Sequence, residues 1–217
     1  MIPLNINDPY PKLVEGAHTY IEEQEYSARV DAWLGLETER IEKELTQPQD
    51  GQFWIGLPVQ AMLTPYTEIR AILEHLNPAS HSTLIDLGAG YGRMGFVIGC
   101  HYPQVKFIGY EIIEARVRES LRCLAPLAYP LIEMHQADLS ASGFKLPAAD
   151  FYFIYDFGSR QTISKTLEDL KIVARSRPIK VVARGGLSRN LIDREHPWLS
   201  QVHPPRHFHH YSIYTTY

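Results

Sequence analysis

The chain has 217 residues, 45% of them hydrophobic and 21% charged, with a formal net charge of -4. That is apolar content for one substantial core without requiring two, and no apolar run approaches the ~20 residues that cross a bilayer. Met1-Ile2-Pro3-Leu4-Asn5 carries neither the basic nor the apolar block of a secretory signal, so the expected compartment is cytoplasmic and no membrane is expected as a partner. Residues 1–17, bearing proline and asparagine, read as irregular. Over residues 18–46 the pattern is helical: Tyr20, Val30, Trp33, Leu34, Ile41 and Leu45 make an imperfect apolar stripe, with Gly35 a kink or break. Gln47-Pro48-Gln49-Asp50-Gly51 is turn chemistry. A second helix is expected over residues 65–76, with Ile69, Ile72, Leu73 and Leu76 on one face. Thr64 is its expected cap, Pro65 sits in its first turn and Asn77-Pro78 stops it.

Strands then alternate with helices, the signature of a parallel sheet. The expected strands cover residues 84–87, 105–110, 131–136, 150–156 and 179–183, with a helix over 161–174. The tail reads as two further strands, 198–203 and 208–217, joined through Pro204-Pro205. Cys100 and Cys123 fall in expected helices without metal-ligand spacing and read as reduced packing residues.

Between the first strand and its helix lies Asp86-Leu87-Gly88-Ala89-Gly90-Tyr91-Gly92-Arg93. Glycine there lets the chain turn sharply and lets a ligand touch the backbone. A dinucleotide loop, G-x-G-x-x-G, would need its third glycine at position 93, which is Arg93. Arg93 is instead expected to start the helix and pair with a nearby acid. Four successive strands also end in a carboxylate: Asp86, Glu111, Asp138 and Asp156. In an open α/β sheet, ligands bind beyond the carboxyl ends of the strands, at the switch point. Glu111, roughly twenty residues past the loop, can accept two hydrogen bonds from ribose hydroxyls.

G-x-G-x-G preceded by Asp-Leu resembles motif I of the class I S-adenosylmethionine-dependent methyltransferases. That resemblance, covering about residues 60–217, implies an α/β, doubly wound, mostly parallel seven-stranded Rossmann-like sheet with helices on both faces. It divides the chain into an N-terminal helical extension or lid (1–60) and a methyltransferase domain (61–217). It implies S-adenosyl-L-methionine as cofactor, held by Thr64, Tyr66, Asp86, Gly88, Ala89, Gly90, Gly92, Glu111, Ile112, Asp138 and Leu139. The family places the third acid, Asp138, on the exocyclic amine of adenine. A Tyr and Glu before motif I help hold the methionine end, and this chain reads Tyr66-Thr67-Glu68 there.

Tyr155, Asp156 and Phe157 are the candidate catalytic residues. Adenine and glutamine N-methyltransferases resemble Asn/Asp-Pro-Pro-aromatic at this place, and this chain has no proline there. An acid followed by Phe looks more like the class I protein-lysine methyltransferases of the disruptor-of-silencing type, whose pattern is Asn-Asn-Phe. The departure is Asp156 for Asn, which small-molecule N- and O-methyltransferases share. The expected acceptor is therefore an amine on a protein lysine or a small molecule, with nucleic acid less favoured. An O-methyltransferase and an inactive cofactor-binding scaffold remain alternatives. Aminopropyl transfer does not fit, because the Gly-Gly-Gly-Asp-Gly loop of those enzymes is absent.

Charge is uneven. Residues 1–50 hold eleven acids against four bases, and residues 160–194 hold nine bases against three acids. The two regions read as solvated faces or as partners of each other. Four of the ten histidines fall between His203 and His210, but strand alternation splits them between faces, so no metal site is expected.

Overall fold

A computed structural model describes residues 1–14, 16–45 and 57–216. Five strands run parallel: β1 (Thr83–Leu87), β2 (Lys106–Glu111), β3 (Ile132–Gln136), β4 (Phe151–Tyr155) and β5 (Lys180–Arg184). The sheet order is β3-β2-β1-β4-β5-β7-β6, where β6 is Arg206–His207 and β7 is Tyr211–Thr215. β7 inserts antiparallel beside β5, with Arg184 opposite Tyr211. The chain leaves β1 toward β2 on one side and later returns to β4 on the other. The carboxyl ends of β1 and β4 therefore flank the switch point.

Alternation along each strand feeds two cores. Leu84, Phe107, Phe151, Phe153 and Val182 face one way, under α4 (Tyr66–Leu76) and α5 (Arg93–His101). Ile85, Leu87, Tyr152, Ile154, Val181 and Ala183 face the other, under α7 (Arg160–Ala174) and α8 (Gly186–Glu195). The sheet is thus covered on both faces, which is why its strands read as nearly continuous apolar runs. α6 (Glu114–Leu124) joins the first layer through Val117, Cys123 and Leu124.

The helical stretch expected over residues 18–46 is two helices, α1 (Tyr20–Leu34) and α2 (Thr38–Glu44). Thr19 and Glu22 form a reciprocal capping box at the start of α1, and Gly35, in the left-handed region, ends it. Thr46 and the expected turn at 47–51 lie outside the described residues. Buried Ile2, Tyr10, Tyr26, Val30 and Ile41 of this segment join the core of α4 and α5. α3 (Val59–Met62), a single turn, connects to α4 and packs on α1.

Two local expectations are corrected. α4 starts at Tyr66 with Pro65 in the cap position and no side-chain cap, so Thr64 does not cap it. The tail strand expected over 198–203 is absent. Pro197–Leu199 form a short 3-10 turn there, and β6 comes only after Pro204-Pro205, because proline has no amide to give a sheet. Among the described residues no helix is long and apolar enough to cross a membrane.

Candidate functional site

The loop after β1 uses three left-handed glycines, with φ of 87° at Gly88, 55° at Gly90 and 72° at Gly92. Two of them are also required by space. A Cβ on Gly88 would lie 2.1 Å from Cβ of Phe157, and one on Gly92 would lie 2.5 Å from Oγ of Ser120. The amides of Gly88 and Ala89 donate to the carbonyl of Tyr110 at 2.9 and 2.8 Å, tying the loop to β2. The amide of Gly90 donates to Oε2 of Glu111, and the amide of Ile113 donates to Oε1, each at 2.9 Å. The second-strand acid is thereby fixed against the glycine loop, with one lone pair on each oxygen not taken by any described residue.

A cleft enclosing about 970 Å³, including its open mouth, lies over the ends of β1, β2 and β4. Thr64, Asp86, Gly88, Ala89, Gly90, Glu111, Ile112, Tyr155 and Phe157, all expected at the site, line it. A second lobe is lined by Tyr110, Ala137, Asp138, Leu139, Ser140 and Thr162, and shares Gly88, Glu111, Ile112 and Phe157 with the first. Phe157 packs against Gly88 between the two lobes. Asp138 accepts from the hydroxyl and amide of Ser140 at 2.6 and 2.8 Å, which holds its carboxyl below the usual range. Asp86 is 5% exposed. Burial, and then the negative charge of Glu111, push its carboxyl up to about 8.

Three expected residues stand elsewhere. Gly92 lies behind the cleft wall, packed on Ser120 and Met134. Tyr66 is fully buried behind it too, its hydroxyl donating to Oδ1 of Asp31 at 2.9 Å. Asp156 has a φ of 34°, and this backbone turns its carboxylate away from both lobes toward the first turn of α8. There it accepts from the amide and hydroxyl of Ser188 at 2.7 and 2.6 Å and from the amide of Leu187 at 3.2 Å. A helix N-terminus offers unpaired amides, and a carboxylate satisfies them. The expectation of a carboxylate aimed at an acceptor is therefore not met by Asp156. Its neighbour Tyr155 does face the cleft, with its hydroxyl donating to the carbonyl of Ala61 at 3.1 Å.

Three guanidinium groups brace this geometry. Arg93 starts α5 and pairs with Asp31 of α1, as expected of it. Its Nε to Oδ1 distance is 3.2 Å, and it also donates to the carbonyl of Thr64 at 3.2 Å and to Oε1 of Gln60 at 2.7 Å. Arg116 grips Glu42 of α2 with two bonds at 2.8 and 3.0 Å. Arg184 grips Glu68 at 2.8 and 3.2 Å, with its guanidinium carbon 4.1 Å from the ring centre of Tyr155. Glu42, Arg93 and Arg116 all line the cleft. Glu42 and Arg116 had no local sequence signal, since 74 positions separate them.

No family model matches the chain, and no curated protein matches it. Among solved structures, the C-terminal domain of precorrin-6Y C5,15-methyltransferase from Rhodobacter capsulatus aligns with a TM-score of 0.51 at 16% identity. It covers 70% of this chain and 89% of that one. An RNA methyltransferase from Salinibacter ruber, in complex with S-adenosyl-L-homocysteine, aligns with a TM-score of 0.49 at 19% identity, over 70% of this chain and 91% of that one. TrmN from Thermus thermophilus aligns with a TM-score of 0.49 at 14% identity, over 71% of this chain and 48% of that one. The chain spans about half the length of TrmN and of two further matched structures. By strand order, and by its likeness to the precorrin enzyme's domain, the chain has the seven-stranded class I methyltransferase fold.

Proposed function

We propose that this chain binds S-adenosyl-L-methionine and transfers its methyl group to an amine. The observation that carries the reading is the pair of buried acids, Asp86 and Glu111, facing one cleft beside Gly88 and Gly90. A low-dielectric floor bearing the Glu111 carboxylate and a second acid that a nearby cation would ionise suits a cation and hydroxyl donors. In this reading Glu111 takes the ribose hydroxyls, and Asp86 and Thr64 border the methionine end. Asp138, Leu139 and Ile112 border the adenine, and Gly88, Ala89 and Gly90 are the close-approach cradle. Gly92 and Tyr66 support that wall from behind. The bound cofactor supplies an already activated methyl group, so the protein's task is alignment and exclusion of water.

The acceptor end is apolar, bordered by Leu57, Ala61, Met62, Tyr155 and Phe157. Such walls fit a methylene or aromatic stem carrying a neutral or cationic nitrogen, on a protein lysine or a small molecule. Tyr155 and Phe157 flank that nitrogen, and Asp156 serves by holding α8 and the β4 end in place. The helices of residues 1–60 form a wall over the methyltransferase domain. Calorimetric titration tests the cofactor: S-adenosylhomocysteine binds with micromolar affinity and NADH does not. NADH binding without S-adenosylhomocysteine binding overturns the proposal. A methyl-transfer screen over peptides, amines, phenols and nucleic acids then tests the acceptor, and transfer to a phenol alone overturns the amine.

A further inference from the structure

We infer that Glu42, carried on α2 outside the nucleotide-binding sheet, is a ligand-contacting residue that faces Glu111 across the ribose end of the cleft. The inference rests on the cofactor reading above and adds a residue that neither the glycine loop nor the strand-end acids supply. Glu42, Glu111 and Arg116 line the same cleft. Oε1 of Glu42 accepts from the hydroxyl of Tyr91 at 2.7 Å and from Nε of Arg116 at 2.8 Å. Oε2 accepts only Nη2 of Arg116, at 3.0 Å, among the described residues. A carboxylate has about four lone-pair sites, so one on Oε2 stays open.

Glu111 has two open sites, because among the described residues each of its oxygens accepts a single backbone amide. Nη1 of Arg116 stands 3.7 Å from Oε1 of Glu111, which sets one guanidinium between the two carboxylates. Two acids sharing one cation keep a net negative charge and present open acceptors from both sides of the cleft. The complement of that arrangement is a vicinal diol, not a phosphorylated ribose, whose charge both acids would repel. The tie to Tyr91, inside the glycine loop, makes the position of α2 part of the loop's own geometry.

The test is calorimetric titration of the full chain with two probes, S-adenosylhomocysteine and its analogue lacking both ribose hydroxyls. Glu42→Gln replaces the open acceptor with a donor at nearly constant shape. Its affinity for S-adenosylhomocysteine should fall about tenfold, in line with loss of one charge-assisted hydrogen bond. Its affinity for the dideoxy analogue should stay within about twofold of the wild type. Glu42→Asp, which withdraws the carboxylate by one methylene, should repeat the pattern. Equal losses for both probes would show that Glu42 only supports the wall, and no loss for either would remove it from the site. If the wild type binds neither probe, the cofactor reading falls and this inference with it, whereas binding by an indifferent variant overturns this inference alone.

Discussion

Asp31 in α1 and Arg93 at the first position of α5 form an ion pair with side chains only 3% and 4% exposed. The tyrosine hydroxyl of Tyr66 and the amide of Gln60 also donate to that carboxylate, at 2.9 and 3.2 Å. The N-terminal helix is thus joined to the glycine loop through a buried charge network. Removing one partner of such a pair leaves the other uncompensated, at a cost of about 3–5 kcal/mol. Asp31→Ala should therefore lower unfolding free energy by about that amount in urea titration. A change below about 1 kcal/mol would mean that water reaches Arg93.

The buried acid predicts a pH dependence. Asp86 in the folded chain holds its proton up to about pH 8, because of burial and then the charge of Glu111. The unfolded chain releases that proton near pH 4. Stability from this group is complete below the unfolded value and is lost as pH rises through the folded one. The urea midpoint of the ligand-free protein should fall between about pH 5 and pH 8 relative to Asp86→Asn. A cationic ligand favours the ionised carboxylate, so its binding should release a proton near neutrality. Calorimetry in buffers of different ionisation enthalpy reads that proton directly, and buffer-independent heats would show Asp86 already ionised.

Asp156 separates a framework role from a chemical one. Asp156→Ala removes the acceptor for the first-turn amides of α8, a loss of about 0.5–2 kcal/mol for a helix cap. It also removes the acceptor of the buried Ser188 hydroxyl, which keeps only the bond it accepts from the backbone amide of residue 156 at 3.1 Å. The double change Asp156→Ala with Ser188→Ala should be less destabilised than the sum of the two single changes, because their partners are shared. Additive losses in thermal unfolding would disconnect the carboxylate from α8.

Gly88 is constrained by both angle and space. Gly88→Ala places a side chain at a φ of 87° and drives Cβ into the Cβ of Phe157. The left-handed strain alone amounts to about 1–2 kcal/mol. The pair Gly88→Ala with Phe157→Gly, which removes the opposing Cβ, should recover the part of the loss that comes from this overlap in urea titration. No recovery would mean that the loop moves instead of the phenylalanine.

Much of this architecture is readable in the chain itself, because strand and helix periods are local. The five parallel strands lie within a residue or two of their expected bounds, and Gly88, Gly90, Glu111 and Asp86 meet at the cleft. What escapes is direction and distance. Acids at the ends of strands are visible, yet a φ of 34° at Asp156 decides which way its carboxylate points. Glu42 and Arg116 lie in unrelated helices whose meeting no spacing rule foretells. β6 has two residues, too few to display a period of two. Tyr66 sits where the resemblance places a cofactor contact, but burial on Asp31 takes its hydroxyl.

The bond from Arg184 to the hydroxyl of Tyr20 spans 164 positions, and it dates the assembly of the molecule. During synthesis α1 leaves the ribosome first, but its anchor at the end of β5 emerges on the order of ten seconds later at roughly 5–20 residues per second. Until then Tyr26 and Val30 lack the part of their core that Val182 contributes, and α1 should settle only after β5 has emerged. Stalled nascent chains ending at residue 170 should be cleaved by protease within α1, and chains released at full length should resist. Equal resistance in both would show that the N-terminal helices dock on α4 and α5 without waiting for β5.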